Sequence, residues 1–201
     1  KENSETIEST DYYLEIGLFN NEEKKSYKKA VEFTEKAIEY AKSKNHTDKL
    51  ADSYLQLANI YYDLEKNNLA IDYYIRAVNS YTKEKPKNNL ALSYYGLGKC
   101  YLRKDNIKVA EIYFEKAAAL YKALNFNEAI ELINLQKAII KKEKKDYKNA
   151  TYILLSVIKN LEDDTFLSTK SEAYYQLGEI EMAQKKYTLA IYYFDIANAI
   201  N

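Results

Sequence analysis

Gly96-Leu97-Gly98-Lys99 is the stretch whose residue types first suggest chemistry, since glycines ahead of a lysine can cradle a phosphate. A phosphate loop needs G-x4-G-K-[ST] after a strand and at the start of a helix, so that unbonded backbone N–H groups point at the anion. Here Cys100 follows the lysine and no strand-like run precedes it. The surrounding periodicity puts the stretch in mid-helix, where each N–H is spent on a carbonyl four residues back. Packing is therefore the expected use of these glycines. Cys100 is the only cysteine and His46 the only histidine, so no internal disulfide and no zinc site of the usual ligand number can form, and no Ser-His-Asp arrangement gains support. Cys100 reads as a buried structural thiol and His46 as a solvated loop residue. The acid pairs Glu22-Glu23 and Asp163-Asp164 stand beside lysines or at helix ends, where carboxylates are solvated. The expected class is non-enzymatic, with no cofactor and no metal.

Thirty basic residues against thirty acidic ones give no net field toward nucleic acid or anionic lipid. No apolar run approaches the ~20 residues of a membrane span. Neither nucleic-acid binding nor membrane insertion is expected of this segment. Four glycines, one proline and many Ala, Leu, Glu and Lys residues point to helices rather than strands. The chain begins at Lys1 without a methionine and reads as a truncated or processed form, which leaves export to the periplasm open beside the cytoplasm.

The elements that position these residues follow from a repeat. Ala30, Ala70, Ala110, Ala150 and Ala190 lie forty residues apart, and seven residues after each come Ala37, Ala77, Ala117, Val157 and Ala197. Five repeats begin at residues 11, 51, 91, 131 and 171. Within a repeat, positions 4, 7, 8 and 11 share one stripe of a first helix, and positions 20, 24 and 27 share a stripe of a second. Polar residues such as Asn67-Asn68, Asp105-Asn106 and Asp146 fall between them, as expected of a turn and an N-cap. Each repeat is thus expected to be an antiparallel helix pair. Small residues at positions 8, 20 and 27 allow close approach, and aromatics at 4, 11 and 24 are expected to fill the space between successive pairs.

The third repeat reads Tyr94-x2-Leu97-Gly98-x2-Tyr101, then Ala110-x3-Phe114 and Ala117; the second reads Tyr54-x2-Leu57-Ala58-x2-Tyr61, then Ala70-x3-Tyr74 and Ala77. The fifth keeps Tyr174, Leu177, Gly178, Ala190, Phe194 and Ala197. This pattern resembles the tetratricopeptide repeat, W-x2-L-G-x2-Y…A-x3-F…P. The resemblance covers residues 11–201 as one array, preceded by a polar, flexible lead-in over residues 1–10. Departures are the forty-residue length, tyrosine in place of tryptophan, Glu181 in place of a tyrosine, and the missing proline, with only Pro86 in a linker. The first helices of the first and fourth repeats are degenerate, with Asn134, Lys137 and Lys141 on the packing stripe. The implied fold is all-α, a right-handed α-solenoid of antiparallel helix pairs.

The resemblance also implies a function, binding of a protein or peptide partner in the concave groove. Positions 2, 5, 9, 12 and 13 of the first helices face away from the packing stripe and would line that groove. The candidate partner-binding residues are Asn59, Tyr62 and Asp63; Tyr95, Lys99 and Arg103; Gln136 and Lys142; and Tyr175 and Glu179. Phe19, Glu22, Glu23, Asp52, Leu55, Leu135 and Met182 belong to the same face. Its charge runs from acid through a basic middle at Lys99, Arg103 and Lys142 to acid again at Glu172 and Glu179. The two-carboxylate clamp of the chaperone-tail binders in this family is matched only at Asn59, so chaperone tails are not expected. The alternative function is a sensory or regulatory module of a larger bacterial signalling protein, a transcription regulator or a histidine kinase. Ile191, Phe194 and Ile200 would lack the covering of a further repeat, which makes a homodimer through the last repeat a further expectation.

Overall fold

The computed structural model describes residues 10–22, 26–81, 88–161 and 166–200. Residues 1–9, Glu23, Pro86, Asp163 and Asp164, and the side chains of Phe19 and Glu22, lie outside what is described. Ten helices and no strands occur among the described residues: α1 (Thr10–Glu22), α2 (Tyr27–Ser43), α3 (Thr47–Asp63), α4 (Asn67–Ser80), α5 (Asn88–Arg103), α6 (Ile107–Ala123), α7 (Asn127–Glu143), α8 (Tyr147–Asn160), α9 (Leu167–Ala183) and α10 (Tyr187–Ile200). The chain divides into two compact units, Lys1–Leu120 and Tyr121–Asn201. In the first, α1 packs on α2 and α3 on α4, α2 and α4 each pack on the following helix, and α3 also touches α1 and α5. In the second, α7 packs on α8, α8 on α9 and α9 on α10, while α7 also meets α9. Thr10, the first described residue, belongs to α1 and has a buried side chain.

The small residues on the ruler are where the helices touch. Ala30, Ala70, Ala110, Ala150 and Ala190 are each 0% exposed. A Cβ on Gly98 would collide with the Phe114 ring, and one on Gly178 with the Phe194 ring. Both glycines stand in mid-helix at the same repeat position, each opposite a phenylalanine of its own pair.

The turns repeat as well. Glu65, Asp105, Lys145 and Lys185, spaced by forty, hold left-handed φ angles of 58°, 55°, 59° and 63°. Beside Glu65, the Lys66 N–H donates to the Tyr61 carbonyl at 2.9 Å and the Glu65 N–H to the Tyr62 carbonyl at 3.0 Å, which closes the helix end. Asp105 is therefore the helix-ending residue rather than a cap, and Asn67 is already the first residue of α4. Asp146 does stand at the N-cap of α8, where its carboxylate accepts two hydrogen bonds from the Asn149 amide, at 3.0 and 2.9 Å.

Three features add to or shift the expected packing. The aromatics at positions 4 and 11 also enclose a tyrosine of their own pair. Tyr73 stacks on Tyr61 (5.5 Å) and packs against Tyr54 (6.1 Å), and Tyr113 stacks between Tyr101 (5.5 Å) and Tyr94 (6.1 Å). The first helix of the fourth repeat forms a full α7, because Ile133, Ala138 and Ile140 bury a stripe shifted from the one expected, with Lys137 exposed. Position 10 is core in the second to fifth repeats, where Ile60, Cys100, Ile140 and Ile180 are all buried, as expected for the Cys100 thiol.

Candidate functional site

In the first unit, six of the candidate residues come together on α3 and α5. The spacing of four along α5 puts Tyr95, Lys99 and Arg103 on one face. Arg103 lays its guanidinium over the Tyr62 ring, 3.5 Å from the centroid, and donates a hydrogen bond to the Tyr62 carbonyl at 2.8 Å. Lys99 Nζ lies 4.3 Å from the Tyr62 centroid and 5.5 Å from that of Tyr95. One tyrosine on α3 is thus held under two cations from α5, an arrangement that fixes the rotamers of all three. Tyr95 rests in turn on Phe114 at 5.9 Å. Burial pushes the Tyr62 phenol up to about 12 against the opposing influence of Arg103, so the ring is neutral and serves as an aromatic face.

Asn59 and Asp63 complete the patch. The Tyr74 hydroxyl donates to Asn59 Oδ1 at 2.6 Å. Tyr74 belongs to α4, and its ring reaches this face through the space that the missing side chain of Gly96 leaves: a Cβ there would collide with the Tyr74 ring. Burial holds the Tyr74 phenol well above its ordinary range. Leu18, Gln56, Asn59, Asp63 and Lys99 surround a cleft of about 290 Å³, with Tyr62 and Tyr74 as aromatic walls. Sequence reading missed Tyr74, Gly96 and Gln56 as parts of this site. Gln56 donates to the Leu14 carbonyl at 3.1 Å, and the recurrence of glutamine at Gln56, Gln136 and Gln176 was a signal on the same ruler.

The remaining four candidates belong to the second unit. Lys142 on α7 sends its ammonium to Glu179 Oε2 at 2.5 Å and to Gln176 Oε1 at 2.7 Å on α9, and Gln176 Nε2 donates to Glu172 at 2.6 Å. The Lys142 side chain is only 15% exposed. Lys142 and Glu179 are therefore one bridge between two helices rather than the separate basic and acidic zones expected. Tyr175 is 46% exposed and packs its ring 5.3 Å from Phe194, as Tyr95 does on Phe114. Gln136 is half-buried on α7.

Other members of the expected face do different work. Leu55 and Leu135 are buried in the two cores. Asp52 accepts from the Tyr81 hydroxyl at 2.6 Å and from the Asn89 amide at 2.7 Å, which ties α3 to the end of α4 and the start of α5. Cys100 is fully buried, and burial pushes its thiol up to about 11. His46 is exposed at the N-terminus of α3. No group of His, Cys, Asp and Glu among the described residues is placed to hold a metal ion, and no described helix is long and apolar enough to cross a membrane.

Comparison with known proteins agrees with this architecture. Residues 49–123 match the tetratricopeptide repeat family. No curated protein sequence matches the chain. Among solved structures, BtubC from P. vanneervenii is similar with a TM-score of 0.73 at 17% identity, over 94% of this chain and 78% of that one. The Rap conjugation gene regulator of plasmid pLS20, solved with the Phr* peptide, is similar with a TM-score of 0.78 at 17% identity, over 94% of this chain and 52% of that one. Aspartyl phosphate phosphatase F from Bacillus subtilis gives 0.77 at 18%, over 95% of this chain and 50% of that one. At these identities the likeness shows the fold, a helical-repeat solenoid, and the chain spans about half of the last two proteins. The tetratricopeptide match covers residues 49–123, and the same forty-residue ruler runs on through the other helix pairs.

Proposed function

We propose that this chain is a non-enzymatic scaffold that binds an extended peptide or a segment of a partner protein on the α3–α5 face, around Asn59, Tyr62 and Lys99. The observation that carries the reading is the Tyr74–Asn59 hydrogen bond. It spends the Asn59 oxygen and leaves the amide N–H groups as the donors presented to the cleft, beside an aromatic face and two cations. Such a set suits a peptide carbonyl flanked by an apolar or acidic side chain. The non-enzymatic reading rests on the chemistry of the chain's own residues, since the one thiol is buried and the one histidine stands alone in a turn. Selection of peptides from a displayed library against the chain, followed by calorimetric titration, tests the site. Asn59→Ala and the pair Tyr95→Ala with Lys99→Glu are expected to weaken the selected peptide about tenfold or more with far-UV helicity intact. Equal binding by parent and variants moves the site elsewhere.

A second reading, a sensory module of a larger bacterial signalling protein, is favoured by one observation: the fold is similar to that of the Rap conjugation gene regulator solved with a peptide. A kinase or DNA-binding domain encoded in the same gene supports it; an open reading frame holding only repeats removes it. A second copy of the chain is the occupant proposed for α10, where Ile191 and Tyr192 are both more than half exposed. Light scattering that finds a monomer across the accessible concentrations removes that proposal.

A further inference from the structure

A second cavity lies in the first unit, away from the α3–α5 face. It opens between α4, α5 and α6 and holds about 460 Å³, within the range of small-molecule sites. Ile75 and Val78 of α4 form one wall, Leu90 and Leu97 of α5 form the floor, and the stacked rings of Tyr94 and Tyr113 stand opposite. Lys116 of α6 overhangs those rings, its Nζ 5.5 Å from the Tyr94 centroid and 5.3 Å from that of Tyr113.

The forty-residue ruler shows what is unusual about this place. One repeat earlier, Glu35 stands where Ile75 stands, Glu39 where Asn79 stands, Arg76 where Lys116 stands, and Asp72 where Ile112 stands. There the cation has a carboxylate partner. Arg76 pairs with Asp72 at 3.0 Å, as Lys36 pairs with Glu32 at 2.9 Å in the first repeat. Burial raises the phenol of Tyr73, the tyrosine equivalent to Tyr113, while Arg76 lowers it and the Glu35 charge raises it again. At the cavity all three carboxylates have been replaced, by Ile75, Asn79 and Ile112. Lys116 keeps its two ring contacts and makes no ion pair among the described residues. Aliphatic and aromatic side chains share the lining with Asn79, Tyr81 and Lys116, and no carboxylate among the described residues pairs with the cation.

We propose that this cavity binds a small aromatic carboxylate. The ring packs between Ile75, Leu97 and the Tyr94 face, and the carboxylate meets the Lys116 ammonium, with the Asn79 amide as a second donor at the rim. A lysine already held over two rings loses little freedom on binding, and its ammonium meets the carboxylate at the cavity rim. An aromatic amine would meet the wrong charge, and a carboxylate lacking the ring would leave the cavity unfilled.

Ligand-observed NMR and calorimetry on the whole chain test this with naphthalene-2-carboxylate as the probe and naphthalene-2-carboxamide as its neutral control. The acid is expected to bind, and the amide to bind at least about tenfold more weakly. Lys116→Met is expected to lose about tenfold, and Lys116→Arg to retain binding. Ile75→Glu, which restores the carboxylate of the preceding repeat, is expected to lose more than Lys116→Met. Both positions are solvent-exposed, so helicity is retained. Lys99→Glu, on the α3–α5 face, leaves naphthoate binding unchanged, which keeps this test separate from that of the peptide site. Equal affinity for acid and amide, full binding by both Lys116→Met and Ile75→Glu, or no binding at millimolar acid overturns the proposal.

Discussion

Tyr74 donates its hydroxyl proton to Asn59 Oδ1 at 2.6 Å from a ring that fills the space a side chain at position 96 would need. A residue of one helix pair thus positions a candidate ligand-binding group on that pair's outer face, and does so only because the next pair carries a glycine at the crossing point.

Gly96→Ala tests that crossing. In a helix interior alanine is favoured over glycine by about 1 kcal/mol. The collision with Tyr74 is expected to outweigh this, for a net loss of about 1–2 kcal/mol in urea unfolding. Tyr74→Phe keeps the packing and is expected to cost about 1 kcal/mol for the lost bond, while weakening peptide capture through a freed Asn59. A Gly96→Ala protein more stable than the parent contradicts the reading.

The left-handed turns offer a gain. Lys145 and Glu65 are exposed residues in a conformation that costs a side chain about 1–2 kcal/mol, part of which glycine recovers after its own entropic cost. Lys145→Gly and Glu65→Gly should each raise stability by about 0.5–1 kcal/mol, and Lys145→Val should lower it. Urea midpoints for the three variants check the signs.

Tyr81 and Tyr121 occupy the same repeat position and make opposite predictions. Tyr81 donates to the Asp52 carboxylate, so Tyr81→Phe should cost about 1.5–3 kcal/mol. The Tyr121 hydroxyl is buried with no hydrogen-bond partner among the described residues, so Tyr121→Phe should be neutral or stabilising. Thermal unfolding of the two variants separates them.

The same burial makes stability fall at high pH. Burial pushes Tyr121 up to about 12, and Tyr62 up to about 12 against Arg103, from an unfolded value near 10. A raised folded pKa means that the folded state holds the proton more tightly. The stabilisation is present below pH about 10 and is lost as pH climbs toward about 12. Urea midpoints should drop between pH 9.5 and 11.5, roughly the window these values define, and Tyr121→Phe should flatten the drop. An identical slope in that variant contradicts the assignment.

Cys100 should be unreactive. With its thiol fully buried and raised to about 11, it should resist a disulfide reagent in the native state at pH 8 and react completely in denaturant. Rapid native-state labelling would place the thiol at the surface.

The sequence by itself determined the helix pairs and their touching points. Two backbones approach only where side chains are small, so alanines and glycines at a fixed spacing mark the contacts whatever the surrounding residues do. The placement of Tyr95, Lys99 and Arg103 on one face followed from the periodicity of a single helix. Only the tertiary structure decided which groups meet across helices. How neighbouring helices pack chooses whether position 5 is groove or core: Leu55 and Leu135 are buried, while Tyr175 is exposed. Packing between helices also spends Lys142 on Glu179, and it threads Tyr74 past Gly96 to Asn59. These pairings depend on the angle between helices, which the periodicity of a single helix does not encode.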